Sequence, residues 1–397
     1  MSAPSRNDPF LIAGSGIGGL ACAIALARRG HSAHVLERAP SFSEVGAGIQ
    51  LGPNATRILQ EFGVWDALGK SIVIPGALKI RDGDSGKLLS NMPLGAEAER
   101  RYGAPYGTVY RGDLQRAMLK IAGGHAAVEI SNGFEVADVA EHDAGVTVNA
   151  DDGSEASGAA LIGADGAFSS IRRMLGLGVA PQFSGKTAWR SLLQIADLPQ
   201  PFDTRDIGLW LAPNAHLVHY PVQGGKALNV VAVTDGAWSE QGWNAEGDAS
   251  EMLSHFSRWC EPVQGLLRAG ESWRKWALID LPPLKRWHRG RIALLGDAAH
   301  PVLPFLAQGG ALAIEDAAAL AGAIGESGTN IVQAFAGYQT AREARTARVQ
   351  RQARRMGSVY HLRGPARWGR DLTLRSSPPI ALLSRFDWLY GARIAPH

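Results

Sequence analysis

Three segments carry the residue types best suited to chemistry. Gly14-Ser15-Gly16-Ile17-Gly18-Gly19 lies near the start, Gly163-Ala164-Asp165-Gly166 near the middle, and Gly296-Asp297-Ala298-Ala299-His300-Pro301 in the last third. Glycines at 14, 16 and 19 permit a tight turn, close backbone approach to a pyrophosphate, and close packing of a helix on a strand. The N-terminus of that helix then faces the phosphates with its partial positive charge. Glu37 lies 18 residues past Gly19, where a carboxylate can accept hydrogen bonds from ribose hydroxyls. This first motif is a dinucleotide signature that leaves the dinucleotide open. In isolation the second segment, with Arg172 shortly after it, reads as a strand-to-helix turn with an N-capping aspartate. In the third, Asp297 directly follows an apolar run, where a carboxylate can hold a polyol. Gln308-Gly309-Gly310 then opens a helix whose N-terminus favours negative charge.

These groups need elements to position them. Phe10 to Ala13 reads as a strand, Ile17 to Arg29 as a helix ended by Gly30, and Ala33 to Glu37 as a second strand. A glycine-dense loop, Gly46 to Asn54, leads into a helix from about Ala55, and residues 112–122 suggest another. From about 127 to 163, apolar patches separated by polar turns read as antiparallel strands. Residues 183–235 form a strand-rich block, followed by helices near 249–259, a buried strand at Arg291 to Leu295, and a helix from Gly309 to Ile324. The fold class is α/β: a Rossmann-like nucleotide domain with an inserted β-sheet substrate domain and a C-terminal helical segment. The expected boundaries are 1–182, 183–285, 286–350 and 351–397.

Bulk properties narrow the class. At 397 residues the chain can hold two or three lobes, and 46% apolar with 19% charged residues is ordinary globular composition. A formal charge of +3 is too small to argue for nucleic acid and mildly favours an acidic small molecule. The two cysteines, Cys22 and Cys260, have no metal or redox spacing, so no metal site is expected. No apolar stretch approaches the roughly 18 residues needed to span a bilayer. With no signal-peptide pattern at the start, a cytoplasmic protein, monomer or homodimer, is expected.

Taken in order and at their spacing, the three motifs resemble those of the class A flavoprotein monooxygenases, the para-hydroxybenzoate hydroxylase-like enzymes, over about residues 9 to 350. The resemblance implies bound FAD, NADH or NADPH as electron donor, and O₂ as co-substrate. It implies an FAD-binding set of Gly14, Gly16, Ile17, Gly18, Gly19, Glu37, Arg38, Gly48, Arg111, Val136, Asp165, Asp297, Pro304, Gly309, Gly310 and Ala311. In that set Glu37 and Arg38 belong to the adenosine half, Arg111 in Tyr110-Arg111-Gly112-Asp113-Leu114 contacts FAD, the Asp165 segment serves both FAD and the nicotinamide donor, and Asp297 meets the ribityl chain. The family lacks a separate NAD(P)H domain, in keeping with the lack of a second GxGxxG here.

Within the family, Gly46 to Asn54 and His216-Leu217-Val218-His219-Tyr220-Pro221 are similar to the salicylate hydroxylase, 3-hydroxybenzoate 6-hydroxylase and 6-hydroxynicotinate monooxygenase branch. The similarity implies ring hydroxylation of a small phenolic acid through a flavin C4a-hydroperoxide. A phenolate is a better nucleophile than a phenol, so a base is needed, and histidine suits. His216 is the candidate base. Tyr220, its partner in the family pair, and Tyr106 would hold the hydroxyl or carboxylate. On a strand, residues 216, 218 and 220 share one face. His219 points to the other face and reads first as a structural histidine, though it is kept with Tyr106 and Pro304 in the substrate-binding set. Pro304 stands where the 3-hydroxybenzoate enzymes carry glutamine, and Gln50 where the hydroxynicotinate enzymes carry histidine. Both are departures at the substrate end.

Arg342, Arg345, Arg348, Arg351, Arg354 and Arg355 recur at helical spacing and read as the solvated face of a C-terminal helix. Other readings carried are hydroxylation or epoxidation of a larger natural-product or N-heteroaromatic ring, and a flavin-binding regulatory protein without turnover.

Overall fold

The computed structural model describes residues 8–41, 47–178, 180–198, 202–327 and 330–394. Gly46, the first residue of the glycine-dense loop, lies outside them.

Four short strands run parallel in the middle of a six-stranded sheet. Phe10–Ala13 pairs in parallel with Ala33–Glu37 on one side and Ala160–Gly163 on the other, and Ala160–Gly163 pairs in parallel with Ile292–Leu294. Both faces of this sheet are covered, so the strands are continuously hydrophobic rather than alternating. Register does the positioning. Ala13, Leu36, Gly163 and Leu294 lie side by side, so the chain leaves all four strands at one carboxyl edge. The first motif, Glu37, the Asp165 segment and Asp297 therefore converge at that edge, where ligands bind in open α/β sheets.

The helix Ile17–Ala27 is apolar all round and is buried between Arg111–Gly123 and Gly309–Ser327. Gly19 is required there. A Cβ at this position would collide with the carbonyl oxygen of Gly14, whose own φ is +106°.

The second lobe is an eight-stranded sheet in the order Asn244–Gly247, Trp273–Asp280, Gln182–Gln194, Ala227–Asp235, Ala215–Val222, Ile207–Ala212, Ala77–Asp82, Leu88–Pro93. Two of its strands come from residues 77–93, which the boundary at 182 would leave with the nucleotide domain. The covering sheet is thus assembled from two separate insertions. Ala77–Asp82 joins through a parallel pairing with Ile207–Ala212, a non-local contact with no local sequence signature. A second difference concerns residues 127–163. Only Val136–His142, Gly145–Ala150 and Glu155–Gly158 form an antiparallel sheet, while Val128–Asn132 pairs in parallel beside Ala33–Glu37.

The last helices close the molecule. Ile331–Tyr360 runs across position 350, and Gly364–Ser376, Pro379–Ser384 and Asp387–Tyr390 follow. Among the described residues no helix is long and apolar enough to cross a membrane, and no group of three or more His, Cys, Asp or Glu could hold a metal ion.

Candidate active site

Two cavities meet at the carboxyl edge of the parallel sheet. The larger, of about 610 Å³, runs from Gly14, Gly16, Glu37 and Arg38 past Val136 and Asp165 to Arg111, Asp297 and Pro304. The smaller, of about 340 Å³, lies between the two lobes; Ile17, Gly18, Gly48, Gln50, Asp297, Pro304, Gly309 and Gly310 line it on one side and His216, Val218 and Tyr220 on the other. Arg111, Arg190, Asp297 and Pro304 belong to both.

The larger cavity fits a dinucleotide. A Cβ on Gly16 would meet nothing within 4 Å, so this backbone faces open space. The helix that starts at Ile17 has no side-chain cap, which leaves its first N–H groups for a phosphate. Glu37 is fixed at the far end: Oε2 accepts from Ser15 N at 2.8 Å and from Ser15 Oγ at 2.5 Å, and Oε1 accepts from Ala39 N at 2.9 Å. Burial would raise its pKa, but these hydrogen bonds outweigh burial and hold the carboxyl below its usual range.

The second and third motifs are tied together by Arg172, which donates from Nη2 to Ala167 O at 2.7 Å and from Nη1 to Ala298 O at 2.8 Å. The N-cap of the following helix is Ser169, whose Oγ accepts from Arg172 N at 2.9 Å, rather than Asp165; Asp165 supports the same turn, its Oδ2 accepting from Ile171 N and Ser170 Oγ, both at 3.1 Å. Its Oδ1 is buried with no hydrogen-bond partner and so remains an acceptor for a ligand. Asp297 is exposed to the two cavities it lines, and the surrounding protein raises its pKa by desolvation, with His300 and Arg111 opposing. Its carboxylate is open to accept a hydrogen bond from a polyol hydroxyl there.

Behind Asp297 stands an ionic cluster. Asp316 Oδ2 accepts from Gly296 N at 3.1 Å and pairs with His300 Nε2 at 2.5 Å, while Asp316 Oδ1 accepts from Arg342 Nε at 2.7 Å. Arg342 and Arg345 also pair with Glu315, at 2.7 and 2.6 Å, and Glu315 accepts from Asn54 Nδ2 at 2.6 Å. The arginine series is therefore a solvated face only in part. Arg342 is 1% exposed, Arg345 pairs with Glu315 and Arg354 with Asp280, the latter at 2.6 Å, whereas Arg348, which lies over the Trp388 ring, Arg351 and Arg355 are exposed as expected. Helical spacing showed a face but not what covers it; the covering acids lie on Gly309–Ser327 and at the end of Trp273–Asp280.

Alternation on Ala215–Val222 places His216, Val218 and Tyr220 together on the cavity face. His216 is buried. Desolvation, then the charges of His361 and Lys186, hold its pKa well below the ordinary value, so the ring is neutral at pH 7. Its Nδ1 lies 2.8 Å from His361 Nε2, and Nε2 has no hydrogen-bond partner among the described residues. Burial raises the Tyr220 hydroxyl well above its ordinary range, so it stays protonated.

Four residues expected at the site fall elsewhere. His219 lies on the opposite face over Gly208, its ring 4.8 Å from that of Phe202, and lines a separate cavity of about 200 Å³ with Lys79 and Asp206. It is a packed histidine, with burial lowering its pKa to about 3. Tyr106 stands one layer behind, its hydroxyl donating to Gln50 Oε1 at 2.8 Å, and it is Gln50 that faces the cavity. Gly19 and Ala311 line neither cavity; Gly19 serves helix packing and Ala311 is buried inside its helix.

Two residues were missed. Arg190 sits where the cavities meet. Its guanidinium lies 4.8 Å over Trp276, Nε is buried without a partner, and burial followed by the charge of Arg111 lowers its pKa to about 10. A lone arginine in the apolar run Thr187 to Leu193 was the available signal. His361 comes after the last motif, and nothing in its spacing marks it.

Comparison with known proteins agrees with this geometry. The family described as FAD binding domain matches residues 8–353. The 3-hydroxybenzoate 6-hydroxylase of Polaromonas naphthalenivorans (strain CJ2) is 37% identical, covering 98% of this chain and 98% of its own length. A salicylate hydroxylase substrate complex is similar in structure with a TM-score of 0.81 at 27% identity, covering 98% of this chain and 96% of that one. Klebsiella pneumoniae HpxO complexed with FAD and uric acid gives a TM-score of 0.83 at 27% identity, covering 96% of each chain. The chain belongs to the FAD binding domain family, in its branch of flavin-dependent aromatic monooxygenases.

Proposed function

We propose that this protein uses NADH or NADPH and O₂ to hydroxylate a small phenolic carboxylic acid of the hydroxybenzoate type. The observation that carries this reading is the shared strand face on which His216 and Tyr220 line a cavity of about 340 Å³ continuous with the FAD cleft. When bound, FAD supplies the redox chemistry that activates oxygen.

The chain's own residues would do the rest. When FAD binds, the N-terminus of Ile17–Ala27 would hold its pyrophosphate, Glu37 its adenosine ribose and Asp297 its ribityl hydroxyls. His216 Nε2 accepts the substrate hydroxyl proton, which makes the ring electron-rich. Tyr220 donates a hydrogen bond to the substrate, and Arg190 offers an unneutralised guanidinium to its carboxylate. Val218, Val302, Pro304 and Phe305 line the same cavity with apolar surface and exclude water from the reacting centre. Pro304 gives no side-chain hydrogen bond, so orientation of the acid falls to Tyr220, Gln50 and Arg190.

His216→Ala should lower substrate hydroxylation by roughly 100-fold or more while FAD binding persists. Unchanged turnover with full FAD content would exclude His216 as the base.

A further inference from the structure

His216, His361 and Asp235 form a continuous row. His216 Nδ1 lies 2.8 Å from His361 Nε2, and His361 Nδ1 lies 2.7 Å from Asp235 Oδ1. The row begins in the cavity that His216 lines and ends at a carboxylate whose side chain is 37% exposed. We propose that it is a proton wire that carries the substrate's hydroxyl proton from the cavity to solvent, with His361 and Asp235 acting through His216 as positioning and relay residues. The proposal rests on the reading of His216 as the base.

A wire answers a physical difficulty. A phenol ionises near pH 10 in water. Handing its proton to one buried imidazole would place an imidazolium where the protein disfavours it. Desolvation, followed by the charges of neighbours that include Lys186, lowers the pKa of both rings, that of His361 to about 4. In the row neither ring has to become a cation. At the start His216 Nδ1–H donates to His361 Nε2, and His361 Nδ1–H donates to Asp235 Oδ1, leaving His216 Nε2 as an acceptor toward the cavity. The substrate O–H bond then breaks as N–H forms at His216 Nε2. His216 Nδ1 gives its proton to His361 Nε2, His361 Nδ1 gives its proton to Asp235, and water takes it from the carboxyl group. Both imidazoles end neutral with their tautomers exchanged, a phenolate remains in the cavity, and one proton has reached solvent.

The surroundings serve both arrays. After transfer, His361 Nδ1 is an acceptor and needs a donor. Lys186 Nζ stands 3.0 Å from it and also pairs with Asp235. One nitrogen thus faces an acceptor suited to the first array and a donor suited to the second. Lys186 and Asp235 are cross-strand neighbours, and His216 lies on the next strand opposite Val233. Arg370, from Gly364–Ser376, adds a further charge that lowers the His361 pKa. Phe305 and Tyr360 meet the His216 ring edge-on, with centroids at 5.5 and 5.2 Å. The Tyr360 hydroxyl donates to Phe305 O at 3.2 Å and so does not compete for the imidazole.

The test uses the FAD-loaded, oxidised protein without NAD(P)H. It is mixed rapidly with 3-hydroxybenzoate, and in parallel with salicylate and 4-hydroxybenzoate, in weakly buffered solution containing a pH-indicator dye. Benzoate, which has no hydroxyl, serves as the control. The wild-type protein should release a proton on binding a hydroxybenzoate and none on binding benzoate. His361→Phe should slow that release by roughly 100-fold, and Asp235→Asn should slow it in the same direction, with FAD content and benzoate affinity unchanged. If His361→Phe fails to bind FAD, Asp235→Asn decides alone. Release lost in His216→Ala but normal in the His361 and Asp235 variants would overturn the wire and leave His216 as the base. Normal release in His216→Ala, or none in the wild-type protein, would overturn the base reading and the wire together.

Discussion

Arg342 donates to Asp316 across 26 residues of sequence, at 2.7 Å, with both side chains sealed from solvent. The same carboxylate receives the N–H of Gly296 at 3.1 Å, immediately before Asp297. A charge on the long helix Ile331–Tyr360 therefore braces the turn that carries Asp297. Burial would raise the Asp316 pKa, but the His300 and Arg342 contacts bring it down to about 2.

Breaking that pair should be costly in two ways. Arg342→Met removes the buried cation that Asp316 and Glu315 share, leaving only His300 on the one and Arg345 on the other, and truncating one partner of a buried pair costs about 3–5 kcal/mol. Urea unfolding should show a loss of this size, and FAD affinity should fall with it because the Gly296 turn loses its anchor. A stability change under about 1 kcal/mol would mean that the cluster does not hold the turn.

Two glycines of the first motif should respond differently. Gly16→Ala adds a methyl group to the open cleft, so the protein should fold normally and bind FAD weakly. Gly19→Ala drives a methyl group into the carbonyl of Gly14, so it should impair folding itself. Thermal unfolding of the apoproteins separates the two. Equal Tm values for both variants would refute the distinction.

Three buried imidazoles predict a loss of stability in acid. The folded-state pKa is about 3 for His219 and about 4 for His361, and that of His216 lies well below its ordinary value. Unfolded, each ionises near 6.5. Below pH 6.5 the unfolded chain takes up protons that the folded chain refuses, so stability falls with pH from there towards pH 4 and below. His219 alone should account for about 2 kcal/mol between pH 6.5 and 5. The slope of unfolding free energy against pH should flatten in His219→Gln, and an unchanged slope would count against a neutral buried ring.

Tyr220→Phe should raise KM for the acid up to roughly tenfold, the loss expected from one hydrogen bond. Since burial holds this hydroxyl protonated, the pH profile of turnover should keep its shape. A displaced profile would show that Tyr220 itself ionises during the reaction.

The cofactor half of the site was legible because its devices are local. Gly14, Gly16 and Glu37 lie within one strand–helix–strand unit, and Asp165 and Asp297 each follow a short apolar strand. Parallel register then brings them to one edge. His216 and Tyr220 were legible as a pair because strand alternation is also local. What was not legible depends on distant partners. Ala77–Asp82 enters the second sheet only by pairing with Ile207–Ala212. Arg342 carries no mark of the acids that bury it. His361 acquires its place from two strands more than 120 residues away in sequence.

The most direct test is NADH and NADPH consumption by the FAD-loaded protein in air, with and without 3-hydroxybenzoate, salicylate, 4-hydroxybenzoate and 6-hydroxynicotinate, with products identified by mass. The account predicts that a hydroxybenzoate stimulates consumption and gains one oxygen atom. Consumption that no phenolic acid stimulates, or stimulation that yields only hydrogen peroxide with every acid, would contradict it.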